Sequence, residues 1–322
     1  MAPTSWDDSL EWMSPVSVVV PACDAESTIE RTVQSLLGQE YPLGRFEVIV
    51  VENGSRDRTP SLLASHGSRI RVVHEKRKGA AAARNAGLRV ASYPYIAFTD
   101  ADCVPDASWL RELMAYAARN PWADFIAGPI VAHQPRSRIE RFSEWLWDQE
   151  RALHAQPPYA ITANLLVRKA LLFELGMFDE ALLRGQDVDL SYRAHFRGAL
   201  FGFADTAVVR HVNPRNLRQV FAKGLQHGHA VARLLEKYSR ELGQTPWQRC
   251  LEGRRYASIG AHLAALARSA WCRRPDLMSH SLFHAVFESG KQLGVWRDLV
   301  ARGPARLALR HHEHGRVPGR TP

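Results

Sequence analysis

The sequence predicts an α/β protein: an open, mostly parallel sheet flanked by helices, followed by a helical C-terminal extension. Three observations point that way. Short β-branched apolar runs alternate with segments of helical periodicity. Polar and glycine residues collect directly after those runs. From about Arg215 onward the chain turns into basic stretches rich in Ala and Leu, with no strand pattern.

Taken in order, "VSVVVPA" (Val16 to Ala22) is apolar apart from Ser17, as expected of a strand covered on both faces. In "STIERTVQSLL", Ile29, Val33, Leu36 and Leu37 recur at helical spacing, and Ser27 with Glu30 fits a capping box. Strand "FEVIVVE" (Phe46 to Glu52), a helix near Thr59 to Ser65, strand "RIRVVHE", helix "GAAAARNAGLRVA" and strand "YIAFTD" continue the alternation. Helix "SWLRELMAYAARN" and a strand "DFIAGPIVA" follow. Residues Ser137 to His154 read as one amphipathic helix, with Ile139, Phe142, Trp145, Leu146 and Gln149 near one side. A short strand-like "AVVRHV" precedes the basic helices, and the tail after Arg310 is expected to be disordered. The implied division is an N-terminal extension (1–14), an α/β domain (15–228), a basic helical region (229–310) and the tail (311–322).

Composition narrows the class. The chain has 322 residues, 46% hydrophobic and 23% charged, which is ordinary for a globular protein. Its net charge of +9 is uneven: Val208 to Pro322 holds 20 Lys+Arg against 7 Asp+Glu, and Met1 to Ala207 holds 22 against 26. A basic rear half suits an anionic surface such as phospholipid headgroups or a phosphorylated acceptor. The 4 cysteines make no C-x-x-C pair and no zinc spacing, so reduced thiols in a cytoplasmic protein are expected. No run of about 18 apolar residues occurs, and "MAPTSWDDSLEW" is acidic without an apolar core, so neither a spanning helix nor a signal peptide is expected.

Ligands of open α/β sheets bind beyond the carboxyl ends of the strands. Those ends carry Pro21, Ala22, Cys23 and Asp24; Glu52, Asn53, Gly54 and Ser55; Glu75 to Gly79; and Asp100, Ala101 and Asp102. Asp100 and Asp102 form a D-x-D pair suited to a hard divalent cation, Mg²⁺ or Mn²⁺, that holds a diphosphate; Asp102 capping a turn before Pro105 is the plainer alternative. Glu52 and Asn53 are acceptors for nucleobase N–H groups or parts of a turn, and Asp57 fits a helix cap. "KRKGAAAARNAG" sets basic residues and glycine at a helix start, where amides and dipole favour phosphate. It is not a P-loop, and no G-x-G-x-x-G follows the first strand, which counts against ATP hydrolysis and dinucleotide chemistry. In "LLRGQDVDLSYR", Asp187 and Asp189 begin a helix, where one carboxylate either caps it or serves as general base.

In this order and spacing, "VSVVVPACDAESTIERTVQSLLGQ", "VIVVENGSRDRT", "KGAAAARNAGL", "IAFTDADCVPDASWL", "ITANLLVRKALLFELGMFDEALLRGQDVDLSYR" and "VVRHV" resemble the family-2 glycosyltransferases of the GT-A fold, over roughly Val16 to Gly228. The resemblance implies a nucleotide-sugar donor, a UDP-sugar favoured, bound by Pro21, Ala22, Glu52, Asn53, Arg84, Asp100 and Ala101. Asp100 would lie near the ribose, Asp102 and His211 would hold the cation, and Asp187 would deprotonate the acceptor hydroxyl in an inverting displacement.

The family has Glu where this chain has Gln186, which leaves an acceptor-side hydrogen-bonding role for that residue. No Q-x-x-R-W motif follows His211, so a single addition is expected rather than a processive synthesis, in envelope polysaccharide or glycolipid assembly. The acceptor would be a carbohydrate or a lipid-linked one, with peripheral contact at the inner face of the membrane and no nucleic-acid partner. Two rival classes were weighed. A nucleotidyltransferase needs a Gly-rich basic loop that "VPACDAEST" lacks, and a non-catalytic nucleotide-sugar binder would explain Gln186 as a decayed site.

Overall fold

The structure, a computed structural model, describes residues 13–243, 253–272 and 275–313. Its first half alternates β1 (Val16–Ala22), α1 (Ile29–Leu37), β2 (Phe46–Glu52), α2 (Thr59–Ala64), β3 (Arg71–His74), α3 (Ala80–Val90) and β4 (Tyr95–Phe98). Then come β5 (Cys103–Pro105), α4 (Trp109–Arg119), β6 (Phe125–Ala127), β7 (Ile130–Ala132), α5 (Arg138–Phe142) and α6 (Gln149–Leu153). The α/β part ends with β8 (Leu165–Arg168), α7 (Lys169–Glu174), α8 (Gln186–His195), β9 (Phe201–Phe203) and β10 (Val209–His211). Three helices follow: α9 (Leu217–Lys237), α10 (Gly253–Trp271) and α11 (Pro275–Glu313).

Seven strands form one sheet in the order β3-β2-β1-β4-β8-β6-β9, and β5-β10-β7 form a second. The run β3-β2-β1-β4 is parallel, and β8 lies antiparallel between β4 and β6. The pleat explains the unbroken apolar runs. Val16, Val18, Val20, Val48 and Val50 pack with Ile29 and Val33 of α1 and with Leu110 and Leu113 of α4. The alternate residues Val19, Ile49 and Val51 pack on the other face with Ala83 and Leu88 of α3, Leu172 of α7 and Leu190 of α8. Both faces are covered, so the strands are nearly all apolar, and the buried Ser17 of β1 is accommodated by donating to Glu47 Oε1 at 2.6 Å. Helix α3 lies so close that a Cβ on Gly87 would fall 2.5 Å from Val19 Cγ1.

Several expectations change. The strand expected over "DFIAGPIVA" is two, β6 and β7, in different sheets. Gly128 and Pro129 separate them: a Cβ on Gly128 would meet Ala207 O at 2.3 Å and Asn164 Nδ2 at 2.7 Å, and Pro129 has no N–H for a ladder. The single helix expected over Ser137 to His154 is α5, a 3₁₀ turn at Ser143–Trp147, and α6. Asp148 interrupts it in an extended conformation and caps α6 by accepting from Arg151 N. A capping box does form, but from Ser137 and Glu140 rather than from Ser27 and Glu30. Glu30 instead accepts from Gln34 and meets His66, and α1 starts on backbone bonds to Ala25 O. Asp57 accepts from Thr59 N and Glu26 N, so it ties the start of α2 to the β1–α1 loop.

Two compact units meet at Asn213 and Pro214. The boundary expected at 228 falls inside α9, whose heptad-like run continues unbroken to Lys237. In the helical unit, Phe283, Phe287, Val295 and Leu299 of α11 are buried, and Val295 and Leu299 pack with Ala232 of α9. Residues 311–313, expected to be disordered, continue α11, and 314–322 lie outside the described residues, as do 1–12 of the expected N-terminal extension.

The Gly128 contacts generate a test. Gly128→Ala should destabilise the chain by roughly 1–3 kcal/mol, because the new methyl meets backbone and a buried amide that cannot move aside. Urea unfolding monitored by fluorescence measures this; a midpoint equal to that of the parent would mean the junction is looser than its distances show.

Candidate active site

Chain direction places the carboxyl ends of β1, β2 and β4 along one edge of the sheet. Immediately after β4, the segment Thr99–Asp102 is fastened at each step. Thr99 Oγ1 donates to Ala163 O at 2.9 Å, Thr32 Oγ1 donates to Ala101 O at 2.9 Å, and Cys103 N donates to Asp100 O at 3.0 Å. This turn presents the side chains of Asp100 and Asp102 while Ala101 is buried.

Arg84 of α3 reaches the first carboxylate: its Nη2 donates to Asp100 Oδ1 at 2.7 Å. The guanidinium is buried, lies 5.7 Å from the centre of the Phe178 ring, and keeps Nε without a hydrogen-bond partner among the described residues. A buried unmet donor costs about 1–3 kcal/mol, a cost that a hydrogen-bond acceptor reaching this nitrogen would remove.

Asp187, in the first turn of α8, lies within charge range of both Arg84 and Asp100. Burial pushes its carboxyl above the ordinary aspartate value and Asp100 adds to the rise, while Arg84 and the Val188 N–H pull it back. The neighbouring Asp189 has another task. It is fully buried and pairs with Arg193 at 2.9 Å, which fixes α8 to the Leu175 and Met177 carbonyls. Gln186 is buried as well, and its amide donates to Leu182 O at 3.0 Å. That bond braces the turn before α8. Gly185 enters this turn at φ 73°, a left-handed conformation that glycine adopts without penalty.

The second carboxylate meets the small sheet. Strand β10 pairs with β5, His211 opposite Cys103, and Asp102 Oδ2 lies 3.5 Å from His211 Nε2. Donor roles here follow from the neighbours. Asn213 Nδ2 donates to Glu140 O at 2.8 Å, so its Oδ1 is the atom that accepts from Trp147 Nε1 at 3.0 Å and faces His211 Nδ1 at 3.0 Å. His211 Nδ1 therefore carries hydrogen. In the neutral ring Nε2 then holds a lone pair aimed toward Asp102, and two acceptors converge where a cation satisfies both. The Trp147 ring, 4.5 Å from the imidazole, holds it in plane. Cys103 lies in the same cluster, but burial, then Asp102 and Asp100, raise its thiol well above the ordinary value, so it stays neutral. An oxygen and nitrogen donor set without thiolate suits Mn²⁺ or Mg²⁺.

The remaining expected residues divide. Glu52 is buried; desolvation works to raise its carboxyl, but hydrogen bonds from Ser55, His74 and Gly54 outweigh it and hold the pKa below the usual range. Asn53 is spent internally, donating to Glu75 O and Arg77 O and accepting from Gly79 N, all at 2.8 Å. It shapes the β3–α3 loop, with both amide hydrogens donated and Oδ1 accepting from Gly79 N. Pro21 and Ala22 close β1 beside Val51 and Glu52, with Ala22 buried. Sequence reading missed Trp147, Asn213 and Tyr159. Tyr159 is within charge range of Asp187 and Tyr192, and burial raises its hydroxyl. Only the "HVNP" spacing, with Asn two residues after His211, offered a signal.

A mostly parallel sheet with acidic groups at its carboxyl edge and a small second sheet bearing the histidine is the GT-A glycosyltransferase fold. Residues 17–174 match the family model described as Glycosyl transferase family 2, and the chain belongs to that family of enzymes. It is 28% identical over 202 residues to Glycosyltransferase AglE of Haloferax volcanii, covering 61% of this chain and 66% of that protein. It is 30% identical over 233 residues to the Pre-mycofactocin glycosyltransferase of Mycobacterium tuberculosis, covering 69% of this chain and 48% of that one. The chain thus spans about half to two thirds of the length of these curated relatives.

Among solved structures, the fold is similar to the mannosyltransferase PcManGT of Pyrobaculum calidifontis in complex with GDP-Man and Mn²⁺. That likeness has a TM-score of 0.59 at 21% identity and covers 88% of each chain. It is also similar to S. aureus TarS 1-349 in complex with UDP-GlcNAc, with a TM-score of 0.52 at 17% identity, covering 86% of this chain and 92% of that one.

The hydrogen-bond logic around His211 is open to measurement. Nitrogen NMR of imidazole-labelled protein at neutral pH should report the Nδ1–H form, and Asn213→Leu should shift the ring toward a mixture of tautomers. An Nε2–H form in the parent protein would contradict the assignment.

Proposed function

We infer that this chain transfers a single sugar, with inversion, from a nucleoside-diphosphate donor to an acceptor hydroxyl, with a UDP-sugar as the favoured donor. The observation that carries this is the pairing of Arg84 with Asp100 beside the partly buried, raised-pKa carboxylate of Asp187. Arg84 Nε, without a hydrogen-bond partner among the described residues, suits a diphosphate oxygen, and Asp100 suits a ribose hydroxyl. Asp102 and His211 would hold Mg²⁺ or Mn²⁺, which when bound offsets the negative charge of the leaving diphosphate.

Asp187 takes the proton of the acceptor hydroxyl. The freed oxygen attacks the anomeric carbon from the face opposite the diphosphate, and the bond to the diphosphate oxygen breaks as the new glycosidic bond forms. Burial suits Asp187 to this, since a base with a raised pKa holds the transferred proton more firmly. Support for nucleotide-sugar chemistry comes from the named complexes with GDP-Man and UDP-GlcNAc.

The acceptor is proposed to be a carbohydrate or lipid-linked hydroxyl of the cell envelope, reached at the inner face of the membrane. No described helix is long and apolar enough to cross a bilayer. Leu282, Leu293 and Val300 are nevertheless exposed on α11. Their spacing of eleven and seven residues puts them on one helical face, which with the basic charge of this half suits interfacial contact. Co-sedimentation with anionic vesicles that fades at high salt is the expected outcome; equal and negligible binding to anionic and neutral vesicles would remove the membrane from the proposal.

Donor-turnover assays test the chemistry. Asp187→Asn should lower kcat by roughly 10²–10⁴ with donor affinity little changed, and Asp102→Asn should remove the dependence on added Mn²⁺ together with turnover. Asp187 acts ionised, so the rate falls as pH drops through its raised pKa, and the acid limb lies above the ordinary aspartate range. Arg84 pulls that pKa down, so Arg84→Gln should move the limb to higher pH. The folded-state pKa of Asp187 is raised, so its charge opposes folding at neutral pH, and Asp187→Asn should melt no lower than the parent. An Asp187→Asn variant with normal turnover would move the base elsewhere.

A further inference from the structure

We propose that His280 and His284 of α11 form a second metal site, in the helical unit, that takes a borderline divalent transition cation such as Zn²⁺. The two residues stand four apart on one helix, so their rings share a face. Their Nε2 atoms lie 3.1 Å from each other, with ring centres 4.3 Å apart. Two metal–nitrogen bonds of about 2.0–2.1 Å meeting at between a right angle and the tetrahedral angle place their nitrogens roughly 2.9–3.4 Å apart. The ring pair already has the bite of a chelate.

The surroundings hold that geometry. His262 of α10 stacks on His284 with ring centres 4.9 Å apart and planes 13° from parallel, and Phe283 meets His284 edge-on at 5.5 Å. His284 is buried while His280 is exposed, so the site has a fixed inner ligand and an open entrance. Glu288, one turn further along the same face, pairs with Lys291 at 3.3 Å. Without metal, one Nε2 donates its hydrogen to the other; a cation replaces that hydrogen, and binding releases it as a proton.

Imidazole pairs favour Zn²⁺, Ni²⁺ and Cu²⁺, whereas Mg²⁺ prefers oxygen. The helical site is therefore blind to Mg²⁺ and chemically separate from the Asp102 and His211 donors. Its consequence is a metal clamp across one turn of α11 beside α10.

The test uses the full chain with His311, His312 and His314 replaced by Ala, so that the C-terminal histidines bind nothing, in excess Mg²⁺. Zn²⁺ titration by calorimetry should show one equivalent taken up, with proton release, and a rise in melting temperature. His280→Ala in the same background should weaken that equivalent at least ~10-fold and abolish the thermal shift. Each thermal shift is read against the same protein's own melting temperature in chelator, because His280→Ala also removes the hydrogen bond to the buried His284. Failure of the parent to take up Zn²⁺, or undiminished uptake by His280→Ala, would overturn the site.

Discussion

The four-residue segment Thr99–Asp102 has to belong to two sheets at once. Its first residue follows β4 of the large sheet, and its last precedes β5 of the small one. Nothing in so short a link can adjust independently, so the two sheets fix where the two carboxylates go. Hydrogen bonds from Thr32, from Thr99 and from the turn at Cys103 lock the remaining freedom. Asp100 is thereby turned toward α3 and Arg84, and Asp102 toward β10 and His211. One rigid turn serves two different partners because the chain bends between them, with Cys103 N donating to Asp100 O, so Asp100 and Asp102 do not share the single face that residues two apart take in a strand.

Much of the polar machinery around this turn positions rather than reacts. Asn53 fastens the β3–α3 loop, Asn164 takes the Trp109 indole and donates to the Pro129 and Ala207 carbonyls, and Asn213 orients His211. Each amide is buried with its donors and acceptors engaged, which is the condition under which a polar group in a core adds order instead of cost. Arg84 and Asp187 depart from that rule. One keeps a buried donor without a partner, and the other keeps a carboxylate where burial disfavours charge. Both departures cost stability at the carboxyl edge of the sheet.

The helical unit follows a simpler logic. Gly224 and Gly228 of α9 lie against the backbone of α11 so closely that a Cβ would fall 2.3 Å from Phe287 O and 2.0 Å from Lys291 O. Gly290 and Gly294 return the contact. The close approach leaves room for few side chains between these helices, and it frees other faces of α11 for His280, His284 and the exposed leucines.

The periodicity of apolar residues by itself determined the alternation of strands and helices, because covering both faces of a parallel sheet demands unbroken β-branched runs such as Val16 to Ala22. It also placed Asp100, Asp102 and Asp187 at the ends of elements, where open α/β sheets carry their sites. What it could not determine were breaks caused by distant partners. Gly128 and Pro129 divide a strand because Ala207 and Asn164 press on that point, and Asp148 breaks a helix that periodicity alone would continue. Roles were likewise decided only in three dimensions. Asn53 fastens the β3–α3 loop and Gln186 the turn before α8, while Asn213 faces the ring of His211. A side chain's type and position along an element are local properties, but whether its hydrogen bonds remain for a ligand depends on residues a hundred positions away.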